Sequence, residues 1–341
     1  MNISIIGSGT WGSALAETLA KHHHVILFSF FKDEIDNIAS TRIVKNLPYM
    51  RLDDSIVCTS DISLACSSEI LIFAVPSIYI HNTAIAVKPY IKDSQIIVDV
   101  AKGIEKDSLY TMSEVIKSVL PNNKVVALSG PTHAEEVARN LPTTIVAASS
   151  DEAVAKLVAD LFYDSCIRAY TNSDIKGIEL CGALKNVIAL FCGIANGLGY
   201  GDNLKAAIMT RGMNEIVRIG RATGCKEQTF YGLAGIGDLI VTATSEHSRN
   251  NRCGKLIGQG KSIEEATKEV GMVVEGLNAL DPAVKLANKY HINMSIIEAL
   301  HRIVYENSDP KLEVDNMMKQ QAKSEIDKTE IDNIFIERTS C

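Results

Sequence analysis

Two groups of residues in this 341-residue chain have types and spacing suited to chemistry. The first is Gly7, Gly9 and Gly12, a G-x-G-x-x-G run. In such a run the first glycine admits a tight turn, the second lets the backbone approach a pyrophosphate, and the following helix offers free N–H groups to its charge. Three glycines at this spacing are common. Here they follow an apolar strand and open a helix over residues 11–21 whose Ala14 and Ala16 permit close packing on a sheet, the context of a dinucleotide site. The second group lies in an apolar helix within residues 177–203 that nevertheless carries Glu179, Lys185 and Asn186. A lysine there either snorkels to solvent or shares one face of glycine, alanine and polar heads that a ligand can approach.

The elements that must position these groups follow from hydrophobic periodicity. β-branched runs at Ile3–Ile6, Val25–Ser29, Ile56–Thr59, Ile70–Val75, Gln95–Val100, Val125–Ser129, Thr144–Ala147 and Ile167–Tyr170 alternate with helix-compatible segments. That alternation predicts an α/β, Rossmann-type doubly wound sheet, mainly parallel and covered on both faces. Several of these runs stop at turn residues, Gly7, Pro76, Gly103, Gly130 and Pro131, and the carboxyl ends of such strands are where open sheets bind ligands. Beyond Asn172 the alternation gives way to long helices, broken near residues 197–202. The expected organisation is a dinucleotide-binding domain over 1–175, an all-α substrate domain over 176–325, and a polar tail over 326–341.

A formal net charge of −7 disfavours a nucleic-acid or anionic-membrane surface while leaving room for a local basic pocket around a small phosphate. The longest unbroken apolar runs, Ile70–Val75 and Val187–Ala195, fall short of the roughly 18 residues of a membrane span, and no leader pattern precedes the first strand, so a cytoplasmic protein is expected. The eight cysteines, Cys58, Cys66, Cys166, Cys181, Cys192, Cys225, Cys253 and Cys341, form no metal-spaced pair and are read as reduced thiols, most of them in the core. Two decoys are set aside. The GQGKS of Gly258–Ser262 lacks the opening glycine of a Walker loop, since Lys255 stands in its place, and the run His22–His24 has no carboxylate or cysteine companion for a metal.

The acidic residue that usually ends the second strand of an NAD site is absent: the chain reads Ser29, Phe30, Phe31, Lys32 there, with neither a carboxylate nor the arginine of an NADP site. NAD or NADP therefore remains open at this level.

Further blocks extend the pattern: SGPTHAEEVA at 129–138, ELCGALKNVIAL at 179–190, GLGYGDNLKAAIMTRGMNE at 197–215, TFYGLAGIGDLIVTATSEHSRN at 229–250 and VVEG at 273–276. With GSGTWGSALA at 7–16 and KGIE at 102–105, the chain resembles the bacterial NAD(P)-dependent glycerol-3-phosphate dehydrogenases over about residues 1–305. The resemblance implies interconversion of sn-glycerol 3-phosphate and dihydroxyacetone phosphate by hydride transfer, supplying glycerol phosphate for phospholipid synthesis. It implies Lys185 as proton acceptor, a role suited to a lysine whose pKa is lowered by an apolar helix. It assigns substrate contacts to Lys102, Gly130, Thr132, Lys185, Asp238, Ser248, Arg249 and Asn250. Cofactor contacts fall on Gly7, Gly9, Thr10, Trp11, Gly12, Phe31, Lys102, Ala134, Arg249, Val273 and Glu275. Arg249 is the expected chief cation for the phosphate. Apolar helices in the second half are compatible with a homodimer. SRN, ALKN and GDL speak against other two-domain dehydrogenases acting on 3-hydroxyacids or 6-phosphogluconate.

Overall fold

The computed structural model describes residues 1–319. Its first half runs β1 (Asn2–Ile6), α1 (Thr10–Ala20), β2 (His24–Phe28), α2 (Lys32–Thr41), β3 (Ile43–Val44), β4 (Leu47–Arg51), β5 (Val57–Thr59), α3 (Ile62–Ala65), β6 (Ile70–Phe73), α4 (Ile80–Val87), β7 (Ile96–Asp99), α5 (Met112–Val119), β8 (Lys124–Ser129), α6 (Ala134–Val137), β9 (Thr143–Ala148), α7 (Glu152–Asp160) and β10 (Ile167–Asn172). The second half is helical: α8 (Ile175–Gly197), α9 (Asp202–Ala222), α10 (Glu227–Phe230), α11 (Asp238–Thr244), α12 (Arg249–Gly258), α13 (Ile263–Val270), α14 (Glu275–Lys289), α15 (Ser295–Tyr305) and α16 (Pro310–Met318).

The eight predicted strands all occur and form one sheet in the order β10-β9-β8-β7-β6-β1-β2-β5. Pairing is parallel throughout except between β8 and β9. Successive residues of β1 face opposite sides. Ile3 and Ile5 pack with Leu15 and Leu19 of α1, whereas Ile6 joins Phe73, Ile80 and Ile116 on the other face. Burial on both faces explains why these strands read as continuous apolar runs. From β1 the sheet grows toward β2 on one side and β6 on the other, so the turns after β1 and β6 meet at a switch point where ligands bind. The small antiparallel pair β3/β4 was not expected, because its strands are short and hold a proline, Pro48.

α8 corrects the expectation drawn from unbroken runs. By length and composition it could cross a bilayer, because the polar Lys185 and Asn186 interrupt the run without making the helix polar, yet its apolar window is wholly buried inside the protein. Its closest neighbour is α12, and the contact is made by glycines. A Cβ on Gly254 would lie 2.0 Å from the Leu190 carbonyl oxygen, one on Gly193 2.2 Å from that of Asn251, and one on Gly258 2.2 Å from that of Ile194. The GQGKS decoy thereby finds its role. Gly258 admits this crossing, Gly260 turns the chain at φ +94°, and Ser262 with Glu265 forms the capping box of α13.

The ring Nε2 atoms of His22 and His23 lie 3.4 Å from the Asp164 carbonyl and 3.0 Å from the Leu161 carbonyl. Cys66, Cys181, Cys192 and Cys253 are buried, while Cys58, Cys166 and Cys225 are half-buried. The tail expected over 326–341, Cys341 included, lies outside the described residues.

Candidate active site

Between the sheet and the helices lies a cleft of about 370 Å³. Its sheet-side wall is built by backbone. The Gly7 N–H donates to the Phe28 carbonyl at 2.9 Å, tying the glycine turn to β2, and its φ of +122° belongs to glycine. A Cβ on Gly12 would meet the Gly7 carbonyl oxygen at 2.1 Å, whereas one on Gly9 would meet nothing within 4 Å, so open space adjoins the second glycine. No side chain caps α1, which leaves the N–H groups of its first turn for an anion. These features fit the pyrophosphate of a dinucleotide.

The helix-side wall is built by buried charge. Lys185, with only 4% of its surface exposed, donates from Nζ to Asp238 Oδ1 at 2.8 Å and to Thr242 Oγ1 at 2.5 Å. Lys102, beyond β7, donates to Asp238 Oδ2 at 2.7 Å and to the Gly130 carbonyl at 3.1 Å. One carboxylate thus bridges two ammonium groups, one from each half of the chain. Burial drives the Lys185 pKa down to about 7, a fall that Asp238 opposes and Lys102 assists. Burial alone would raise Asp238, but the two lysines hold it below the usual carboxylate range, so it stays ionised.

Neighbouring polar groups lock this wall in place. Asn250 Nδ2 donates to Asn186 Oδ1 at 2.9 Å, and Asn250 Oδ1 accepts from the Gly276 N–H at 2.8 Å, joining α8, α12 and α14. Ser248 caps α12 by accepting from the Asn251 N–H at 3.2 Å. Arg249 reaches the Val273 carbonyl at 3.5 Å and is otherwise exposed at the mouth of the cleft. A second strut crosses between the halves: the Ser77 N–H and hydroxyl donate to the two oxygens of Glu275 at 3.0 and 2.6 Å. Gly103 makes room for that strut, since a Cβ there would lie 2.3 Å from the Cβ of Ser77.

Known proteins resemble this chain in sequence and fold. The signatures described as "NAD-dependent glycerol-3-phosphate dehydrogenase N-terminus" and "C-terminus" match residues 2–155 and 174–315. The protein named glycerol-3-phosphate dehydrogenase [NAD(P)+] 2 from Lactobacillus delbrueckii subsp. bulgaricus is 54% identical over 96% of this chain and 99% of its own length. The chain belongs to the NAD-dependent glycerol-3-phosphate dehydrogenase family. A further family member, from Agathobacter rectalis, is 47% identical over 95% of the chain and 97% of its own length. The crystal structure of glycerol-3-phosphate dehydrogenase from Coxiella burnetii superposes with a TM-score of 0.90 at 35% identity, covering 94% of this chain and 99% of that one. The fold is that of the family, and its cofactor class is NAD(P).

Of the residues expected to form the family's site, Gly9, Thr10, Trp11, Lys102, Thr132, Ala134, Lys185, Asp238, Ser248, Arg249, Asn250, Val273 and Glu275 all line the cleft. Gly7 and Gly12 stand behind it and shape the turn, and Gly130 offers its carbonyl to Lys102. Phe31 lies outside the cleft lining, 72% exposed beyond the end of β2. Glu179 turns away and accepts from the N–H and hydroxyl of Ser113 at the start of α5. Asn186, singled out in the sequence beside Lys185, also lines the cleft, whereas Thr242 and His133 were given no role there. Thr242 was detectable, one helical turn beyond Asp238. His133 carried no signal. Its buried Nε2 has no hydrogen-bond partner among the described residues, and burial, reinforced by Lys185, lowers its pKa below the usual imidazole value.

Proposed function

We propose that this chain interconverts sn-glycerol 3-phosphate and dihydroxyacetone phosphate in the cytoplasm, with Lys185 as the proton carrier, and so supplies glycerol 3-phosphate for phospholipid synthesis. The observation that carries the reading is the buried Lys185, brought to about 7 and held by Asp238 and Thr242 at the floor of the cleft. Bound NAD(P) supplies the hydride acceptor or donor. In oxidation the neutral Nζ of Lys185 accepts the proton of the C2 hydroxyl as the C2 hydride departs, leaving a carbonyl. In reduction its ammonium form polarises that carbonyl and returns the proton to the alkoxide oxygen. Asp238 remains ionised throughout, orienting Lys185 and balancing Lys102. Arg249, with Ser248, Asn250 and the N-terminus of α12, receives the phosphate at the mouth.

The test is NADH and NADPH oxidation with dihydroxyacetone phosphate across pH. Because the working form in reduction is the ammonium, kcat/KM is expected to fall about tenfold per pH unit above about 7. The oxidative reaction should instead rise through the same pH. A folded protein inactive with both nucleotides would refute the reading.

A further inference from the structure

The carboxylate expected at the end of β2 is missing from that strand, but the structure supplies one from elsewhere. Glu34, in the first turn of α2, turns back toward the glycine turn and accepts from the Ser8 hydroxyl at 2.9 Å through Oε1. Ser8, the residue between Gly7 and Gly9, is itself buried. The corner is well defined. Gly7 is tied to Phe28, the Ser8 carbonyl accepts from the Ser13 hydroxyl at 2.9 Å, and the Phe31 N–H donates to Ser29 Oγ at 3.2 Å. Phe30 folds back edge-on against Phe28 with ring centroids 4.9 Å apart. Glu34 Oε2 makes no hydrogen bond to any described residue and is left to accept from a ligand.

In a dinucleotide fold this corner, between the glycine turn and the end of the second strand, receives the adenosine ribose. A carboxylate there accepts from a free 2'-hydroxyl. Against a 2'-phosphate, which carries up to two negative charges and no readily donated proton, it is repulsive. NADP sites answer that phosphate with an arginine. The arginines next in sequence are committed elsewhere: Arg42 to the carbonyls of Ile56 and Asp54, Arg51 to the Asp54 carboxylate. Lys32, at the start of α2, is a single exposed cation without the paired donors of a guanidinium.

We propose that Glu34 makes this chain selective for NAD(H) over NADP(H), an inference that rests on its reading as an NAD(P)-linked dehydrogenase. Trp11, the single tryptophan, lines the cleft and reports binding directly through quenching of its fluorescence. In titrations of the full chain, NADH binds at least tenfold tighter than NADPH. Glu34→Gln shrinks that preference by about tenfold, and Glu34→Arg inverts it. Kinetically the change falls on KM for the nucleotide, not on kcat. Equal or tighter binding of NADPH by the unaltered chain, or an unchanged preference in Glu34→Gln, overturns the proposal. Absence of quenching by either nucleotide overturns instead the dinucleotide reading beneath it.

Discussion

The two walls of the cleft use glycine and charge in opposite ways. On the sheet side, glycines shape a turn whose free N–H groups and open space face the ligand, and a Cβ on Gly9 would meet nothing within 4 Å. On the helix side, glycines face away from the ligand and let α8 and α12 touch backbone to backbone, so that Lys185 and the Ser248–Asn250 segment share one small volume. Charge is sparse on the first wall and buried on the second. Recognition through backbone leaves little for a side-chain substitution to remove, whereas chemistry through a buried ammonium depends on single atoms.

Lys185→Met should break this contrast most visibly. Turnover should fall by about 10³- to 10⁴-fold, the worth of a positioned general acid or base, while thermal unfolding stays near that of the unaltered chain because Asp238 keeps Lys102. Near-normal turnover would remove Lys185 from the chemistry. Next comes a matched pair of glycine changes. Gly254→Ala drives a methyl into the Leu190 carbonyl and should destabilise by about 3 kcal/mol, read as a lower melting temperature. Gly9→Ala should leave melting unchanged and weaken nucleotide binding about tenfold, since its methyl enters the open space reserved for the pyrophosphate. Similar effects of both on stability would erase the distinction. The smallest effect belongs to Ser77→Ala, which removes the 2.6 Å bond to Glu275 and should raise the nucleotide KM by about fivefold, roughly 1 kcal/mol, with kcat little changed.

How much of this was legible in the sequence depended on the range of the interaction. The strands were readable because each buried run carries its own signal, and the glycine turn because its three residues act within one loop. The β3/β4 pair was not, because its short strands have no periodicity to detect. Gly258 was rightly refused as part of a nucleotide motif, but its own role stayed hidden because the atoms it makes room for belong to α8, far away in sequence. Likewise Glu34 escaped notice because the usual position for an acidic residue is a strand end, and only the folded α2 brings its carboxylate to Ser8. Lys185 stood out as a lysine in an apolar helix, but its role, and Asp238 altogether, were named through resemblance. Their partnership across 53 residues, and the bridging of Lys102 by the same carboxylate, arise only in the folded chain.

The bonds from Lys102 to Asp238 and from Ser77 to Glu275 each join a residue of the sheet half to one of the helical half. The two halves are therefore not interchangeable modules. A chimera that takes its first half from one relative and its second from another inherits a working cleft only if both pairs arrive matched, together with the glycine at 103 that admits Ser77. Recombination within this chain is constrained at the seam between its two halves, where Lys102, Asp238 and Glu275, which hold them together, also line the cleft.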